Sequence, residues 1–164
     1  MIKSQAVRGR RTARPAARKK PVDMGMLEEV FGYHLRRAQV AVFEDFMQTM
    51  VDSRLTPGQF GVLVLIERND GLSQSALARA LGKKRSTMVV VIDGLEDRGL
   101  IIRRPSTTDG RSYALALSAQ GKSLLAEIKP RVRRHEKRLT TDLQPADVDT
   151  LIDLLKRITE QSRK

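Results

Sequence analysis

At 164 residues the chain suits one domain with room for a proper core. It carries 31 Lys and Arg against 19 Asp and Glu, a net charge of +12, and no cysteine, which excludes disulfides and thiol chemistry and fits a reducing cytoplasm. No apolar run reaches the roughly 18 residues of a membrane span, and Arg10-Arg11 has no apolar stretch behind it, as an export signal would need.

The charge is uneven. Residues 1–22 hold eight basic residues (Lys3, Arg8, Arg10, Arg11, Arg14, Arg18, Lys19, Lys20) and no acid, leaving 23 basic against 19 acidic in the rest. With Pro15, Pro21 and no periodicity, they read as a disordered basic arm. Arg8-Gly9-Arg10-Arg11 suits minor-groove insertion, and a non-specific solubilising tail is the competing reading.

Residues 24–51 read as one long helix with two apolar stripes: Leu27, Phe31, Leu35, Ala38, Val42, Phe46 and Met50, then Val40, Phe43, Met47 and Val51. A helix apolar on two faces needs two surfaces, one in its own chain and one in a partner. Tyr33, His34, Arg36 and Arg37 cluster in its first half. Thr56-Pro57-Gly58-Gln59 is a capping box with proline at the first helical position. The helix it opens, to about Arg68, is expected to bury Phe60, Leu63, Val64 and Ile66 before the turn Asn69-Asp70-Gly71.

Ser73 to Gly99 organises the chain. Ser73 is a fair N-cap for a short helix carrying Leu77 and Leu81, Gly82 suits its end, and a second helix follows with Met88, Val91, Ile92 and Leu95 inward. Two helices joined by a tight glycine turn form a helix-turn-helix. Lys83, Lys84 and Arg85 sit at the second helix's start, where each cation costs about 0.3–1 kcal/mol against the helix dipole. A phosphate docking there reverses that cost; the competing reading is a solvated basic turn. Arg98 to Arg104 then reads as a strand, and Ser112 to Leu117 alternates with Tyr113, Leu115 and Leu117 on one face. Asp109-Gly110 marks the turn of this hairpin, which carries Arg103, Arg104 and Arg111 as a wing.

Ser118 caps the next helix, whose stripe is Leu124, Ile128, Val132, His135 and Leu139, with a kink expected at Pro130. His135 reads as a packing residue. A last helix from Pro145 should bury Val148, Leu151, Ile152, Leu155 and Ile158.

This order resembles the MarR family of bacterial transcription regulators over about residues 24–160. The residues that carry the resemblance are Leu95-Glu96-Asp97-Arg98-Gly99-Leu100, then Arg104, Asp109-Gly110-Arg111, Leu115-Ala116-Leu117-Ser118 and Gly121. The resemblance implies a mainly α fold with a small two-stranded antiparallel β-wing. A winged helix-turn-helix at 56–118 would sit between dimerisation helices at 24–51 and 119–162, in a single domain over 23–162. It implies a homodimer on a pseudopalindromic double-stranded DNA operator, most often as a repressor. Asp109 would hold Arg111 for the minor groove; Lys83, Ser86 and the wing would meet phosphates; Lys84, Arg85 and Thr87 would meet bases. Ser73, Arg103 and Arg104 complete the expected DNA-facing set. The sequence departs from the family where Lys84 replaces the usual Ser or Asp cap and Val89 and Val90 replace polar residues. Valine cannot hydrogen-bond a base edge, though it can pack on a thymine methyl, so Val90 joins the set.

Family members commonly release DNA when a small aromatic anion binds between the dimer helices and the DNA-binding lobe. Tyr33, His34, Arg36 and Arg37, with Phe60, are the expected ligand residues. The segment Gly32-Tyr33-His34-Leu35-Arg36-Arg37-Ala38 looks like that of regulators of aromatic-acid catabolism, some of which sense aromatic acyl-CoA. The competing reading makes Arg36 and Arg37 a solvated face. No cofactor, metal site or membrane contact is implied. An enzyme is disfavoured: two histidines 101 positions apart and no H-E-x-x-H offer no catalytic constellation. Gly121-Lys122-Ser123 lacks the leading glycine of a P-loop, Ala116 standing there. The acidic pairs Glu28-Glu29, Glu44-Asp45 and Glu96-Asp97 read as exposed helix charges. A sequence-neutral protein that coats DNA or RNA is the alternative function.

Overall fold

The computed structural model describes residues 22–105 and 113–161. A short 3-10 turn, Gly25–Glu28, leads into α1 (Phe31–Thr49) and α2 (Pro57–Arg68). Then come α3 (Gln74–Ala80), α4 (Arg85–Asp97), β1 (Ile101–Pro105), β2 (Tyr113–Leu117), α5 (Ala119–Leu139) and α6 (Pro145–Gln161). Among the described residues no helix is long and apolar enough to cross a membrane.

The expected helix over 24–51 is broken near its start. Val30 is extended, and His34 Nε2 lies 2.8 Å from the Glu28 carbonyl, the acceptor an unbroken helix would have given to residue 32. The rest follows local chemistry. Thr56 and Gln59 close the capping box reciprocally, at 3.2 and 3.0 Å, and Ser73 and Ser118 each accept a first-turn N–H. Gly82 and Gly99, at φ of +60° and +65°, end α3 and α4. In each case the next residue's N–H reaches five residues back, Lys83 to Ala78 O and Leu100 to Leu95 O, the bonding of a Schellman cap. The turns on either side of the recognition helix are therefore fixed by glycine.

β1 and β2 pair antiparallel with Ile101 opposite Leu117 and Pro105 opposite Tyr113. Leu115 N–H donates to Leu72 O, so the start of α3 lies along the wing. The core is one cluster. It joins Phe46 and Met50 of α1's end, Val62, Leu63 and Ile66 of α2, Leu77 of α3, Met88, Ile92 and Leu95 of α4, the wing's Leu100, Ile101, Leu115 and Leu117, and Leu125 and Ile128 of α5. Each such side chain contributes about 1.5–3 kcal/mol by burial. Gly121 lets α5 start hard against the wing: a Cβ there would lie 1.9 Å from Leu100 O.

Two expectations about burial change. Val62 and Leu125, absent from the expected stripes, are fully buried, while Phe60 and Val64 pack half-buried on the core's edge. α5 has Pro130 inside it. α6 buries nothing: Val148 and Leu155 are half-buried, whereas Leu151, Ile152 and Ile158 are 49, 45 and 38% exposed. Its amphipathic stripe is real but is left uncovered among the described residues.

Candidate nucleic-acid interface and effector cleft

α2, α3 and α5 each begin with a hydroxyl bonded to a first-turn N–H; α4 does not. Its N-cap is Lys84, in extended backbone with no side-chain cap bond, and its first turn has no acid. Lys83, Lys84, Arg85, Ser86 and Thr87 are all exposed, and the three cations make no ion pair among the described residues. Free N–H groups, the positive end of a helix dipole and three unpaired cations thus converge on one point. That is a site for an anion.

The wing flanks this point. Ser73, Arg85, Arg103 and Tyr113 line one hollow of about 190 Å³. Ser73 spends its hydroxyl capping α3, 3.2 Å from Ala76 N. Arg103, expected to face DNA, bridges Asp93, at 2.5 Å, and Glu96 on α4. The hydrogen bond to Asp93, opposed by desolvation and helped by the charge of Glu96, raises its pKa above the ordinary value. Glu96, expected to be a bare surface charge, is half of a clamp that pins β1 to the recognition helix. Arg104 is exposed and makes no ion pair among the described residues. Asp109 and Arg111 lie outside the described residues.

The expected ligand residues are only partly gathered. Tyr33 is half-buried, edge-on to His34 at 5.5 Å, with the Arg37 guanidinium 5.7 Å above its ring. Arg36 points away from that trio, donates to Gln39 Oε1 at 3.0 Å, and borders an open hollow of about 300 Å³ with Val40 and Phe43. Phe60 is elsewhere, against Phe46 with ring centroids 6.1 Å apart.

A sequence profile of the MarR family matches residues 55–112. The putative transcriptional regulatory protein for the hcr operon of Thauera aromatica is 43% identical over 138 residues, covering 84% of this chain and 83% of that protein. The chain belongs to the MarR family. A solved structure of the transcriptional repressor CouR bound to a 23-mer DNA duplex is similar at 43% identity with a TM-score of 0.80, covering 85% of this chain and 99% of that one. CouR bound to p-coumaroyl-CoA is similar at 41% identity and a TM-score of 0.78, over 85% and 98%. This MarR-family chain is thus a ligand-responsive DNA-binding regulator of the repressor type, and such regulators are dimers.

Membership clarifies the motif reading. Counted from Leu95, the spacing L-E-x-x-G-L-I-x-R ends on Arg103, not Arg104. Its arginine is the clamp to α4, and its glutamate is the partner. Two further groups gave no sequence signal. Arg98 donates to the carbonyls of Ser53 and Arg54 at 2.7 and 3.2 Å, tying the end of α4 to the turn after α1, where Arg54 stands at φ +50°. Asp45 receives His135 Nδ1–H at 2.6 Å and Arg138 at 2.5 Å. The bond from Arg138, then that from His135, lowers the Asp45 pKa below its ordinary 3.8. His135 is buried with its ring edge-on to Phe46 at 5.4 Å, the packing residue the sequence suggested and also a hydrogen-bonded link to α1. These contacts join residues 44 to 93 positions apart, beyond the reach of local pattern.

Proposed function

We propose that the dimer sets the two α4 helices in successive major grooves of a pseudopalindromic operator and that an anionic aromatic acyl-CoA thioester releases it. The observation that carries the DNA half is the uncapped, cationic start of α4. In the free protein that arrangement is unfavourable; phosphate completes it. Lys83, Ser86 and Arg104 meet the backbone, and Lys84, Arg85 and Thr87 meet base edges, while Arg103 holds the wing rather than touching DNA. Residues 56–118 form the DNA-binding unit, and α1, α5 and α6 the dimerisation unit. The regulator carries no catalytic role and acts in the cytoplasm.

The effector half rests on the Tyr33, His34 and Arg37 trio, on Arg36 at its neighbouring hollow, and on likeness to CouR bound to p-coumaroyl-CoA. Arginines suit the thioester's phosphates, and the tyrosine suits a flat acyl group. Release needs the effector to prefer a lobe spacing that cannot span two grooves; equal affinity for both spacings shifts nothing.

A gel shift on the promoter fragment of the chain's own locus, with excess unrelated DNA, tests both halves. Lys84→Ala and Arg85→Ala should each lose roughly tenfold or more in affinity, from about 1–3 kcal/mol per base contact. Unchanged affinity in both would sink the DNA reading. Adding p-coumaroyl-CoA should free the fragment where p-coumaric acid alone does so poorly; no release by either removes the effector reading and leaves DNA binding standing.

A further inference from the structure

The exposed row of α4 is short and chemically graded. Met88, Ile92 and Leu95 face the core. At 3.6 residues per turn the opposite row is Ser86, Val90, Asp93 and Asp97. The helix begins with Lys83, Lys84 and Arg85 and ends with Asp93, Glu96 and Asp97. Asp93 and Glu96 there are paired with Arg103, and the three acids still outnumber that one cation, so a polyanion held at the first end finds no attraction at the second and the first two turns are the part set to lie against a duplex. Val90 is the last residue of the row before the acids.

Val90 is 72% exposed, against 37% for Val89. The other large apolar residues exposed on the described chain lie within 22–51 and 139–158, apart from Tyr113. Val90 therefore stands outside the faces a second copy would cover, and two valines make no protein-docking patch. A valine pressed on a base edge that offers only donors and acceptors would leave them unpaired, at a cost. The major groove offers one apolar group, the C5-methyl of thymine.

We infer that Val90 packs on the C5-methyl of one thymine in each operator half-site and selects T·A there. The inference rests on α4 entering the major groove, as set out above. It makes Val90 a specificity residue, distinct from the cations that supply affinity.

The test uses the full-length protein and a duplex chosen by it from a randomised pool. Each thymine is replaced in turn by deoxyuridine, which lacks only the methyl. One thymine per half-site should lose about fourfold in affinity, the ratio expected for one buried methyl. Val90→Ala should bind the thymine and deoxyuridine duplexes equally, with a melting temperature within a degree or so of the wild type because the side chain is 72% exposed and outside the core cluster. Val90→Thr, which keeps a methyl, should retain part of the discrimination. If every deoxyuridine is tolerated, or if Val90→Ala keeps the wild-type profile, the inference fails while sequence-specific binding stands. If no sequence is enriched from the pool, the placement of α4 fails and this inference with it.

Discussion

The DNA-binding lobe and the helices around it are built to different degrees of completion. In the lobe, α2, α3, α4 and the wing close a core within one chain, with Leu63, Leu77, Ile92 and Leu95 reading as fully buried. In α1 and α6 the apolar residues look outward: Phe31 is 58% exposed, Phe43 45% and Leu151 49%. The same amphipathic patterning gave a finished core in one region and an unfinished one in the other. The difference is what each face meets, and under the proposed dimer a second subunit is what would finish the burial of α1 and α6. The two regions share the apolar cluster through Phe46 and Met50 of α1 and Leu125 and Ile128 of α5, and Arg98 adds a polar tie from the end of α4 to the turn after α1.

The sharpest way to break the contrast is to destroy the lobe alone. Gly121→Val places side-chain carbon where Leu100 O already lies, an overpacking that costs more than about 3 kcal/mol. Against a total of about 5–15 kcal/mol, urea unfolding should show a grossly destabilised or unfolded chain. A two-state curve with the wild-type midpoint would refute the packing described for α5. Next comes the complementary break. Ile152→Glu puts a charge on α6's outward face, which contributes nothing to the chain's own core. Sedimentation should show monomer where the wild type is dimer, with near-normal helical signal and much weakened operator binding. A dimer as tight as the wild type would mean that another face joins the subunits.

Smaller effects probe the links. Arg98→Ala removes two bonds from a charged donor to carbonyls, and the urea midpoint should fall by the equivalent of about 1.5 kcal/mol. Because the link ties α4's end to the turn after α1, effector-driven release should weaken more than DNA affinity does. Asp45→Asn gives the smallest change, seen in pH dependence. Asp45 has a folded pKa below its ordinary 3.8, so its contribution is present above that value and is lost as pH falls through the folded one. The wild type should melt higher than Asp45→Asn at pH 7, with the gap closing below about pH 3.8. A gap that is constant with pH would show that the bonds from Arg138 and His135 to the Asp45 carboxylate do not set it.

Much of this was legible in the linear chain because it is local chemistry. The caps at Thr56, Ser73 and Ser118, the glycine at 82 and the inward stripe of α4 all depend on neighbours within a turn or two. The odd cations at 83–85 were visible for the same reason: a helix start has a known polarity, and three positive charges contradict it. The ligand residues were less legible. Helical spacing put Tyr33 and Arg37 together but could not show Phe60 turning into the core toward Phe46.

By itself the sequence determined the order of the elements and the caps of α2, α3 and α5, which face of α4 is buried, and that its start wants an anion. Those follow from torsion preferences, periodicity and the dipole of a single helix. Only the tertiary structure decided that Arg103 clamps the wing to α4, that Glu96 and Asp45 are paired, and that α6 finds no burial among the described residues. Each of those depends on which distant surface arrives opposite a side chain, and chain folding, not local pattern, sets that.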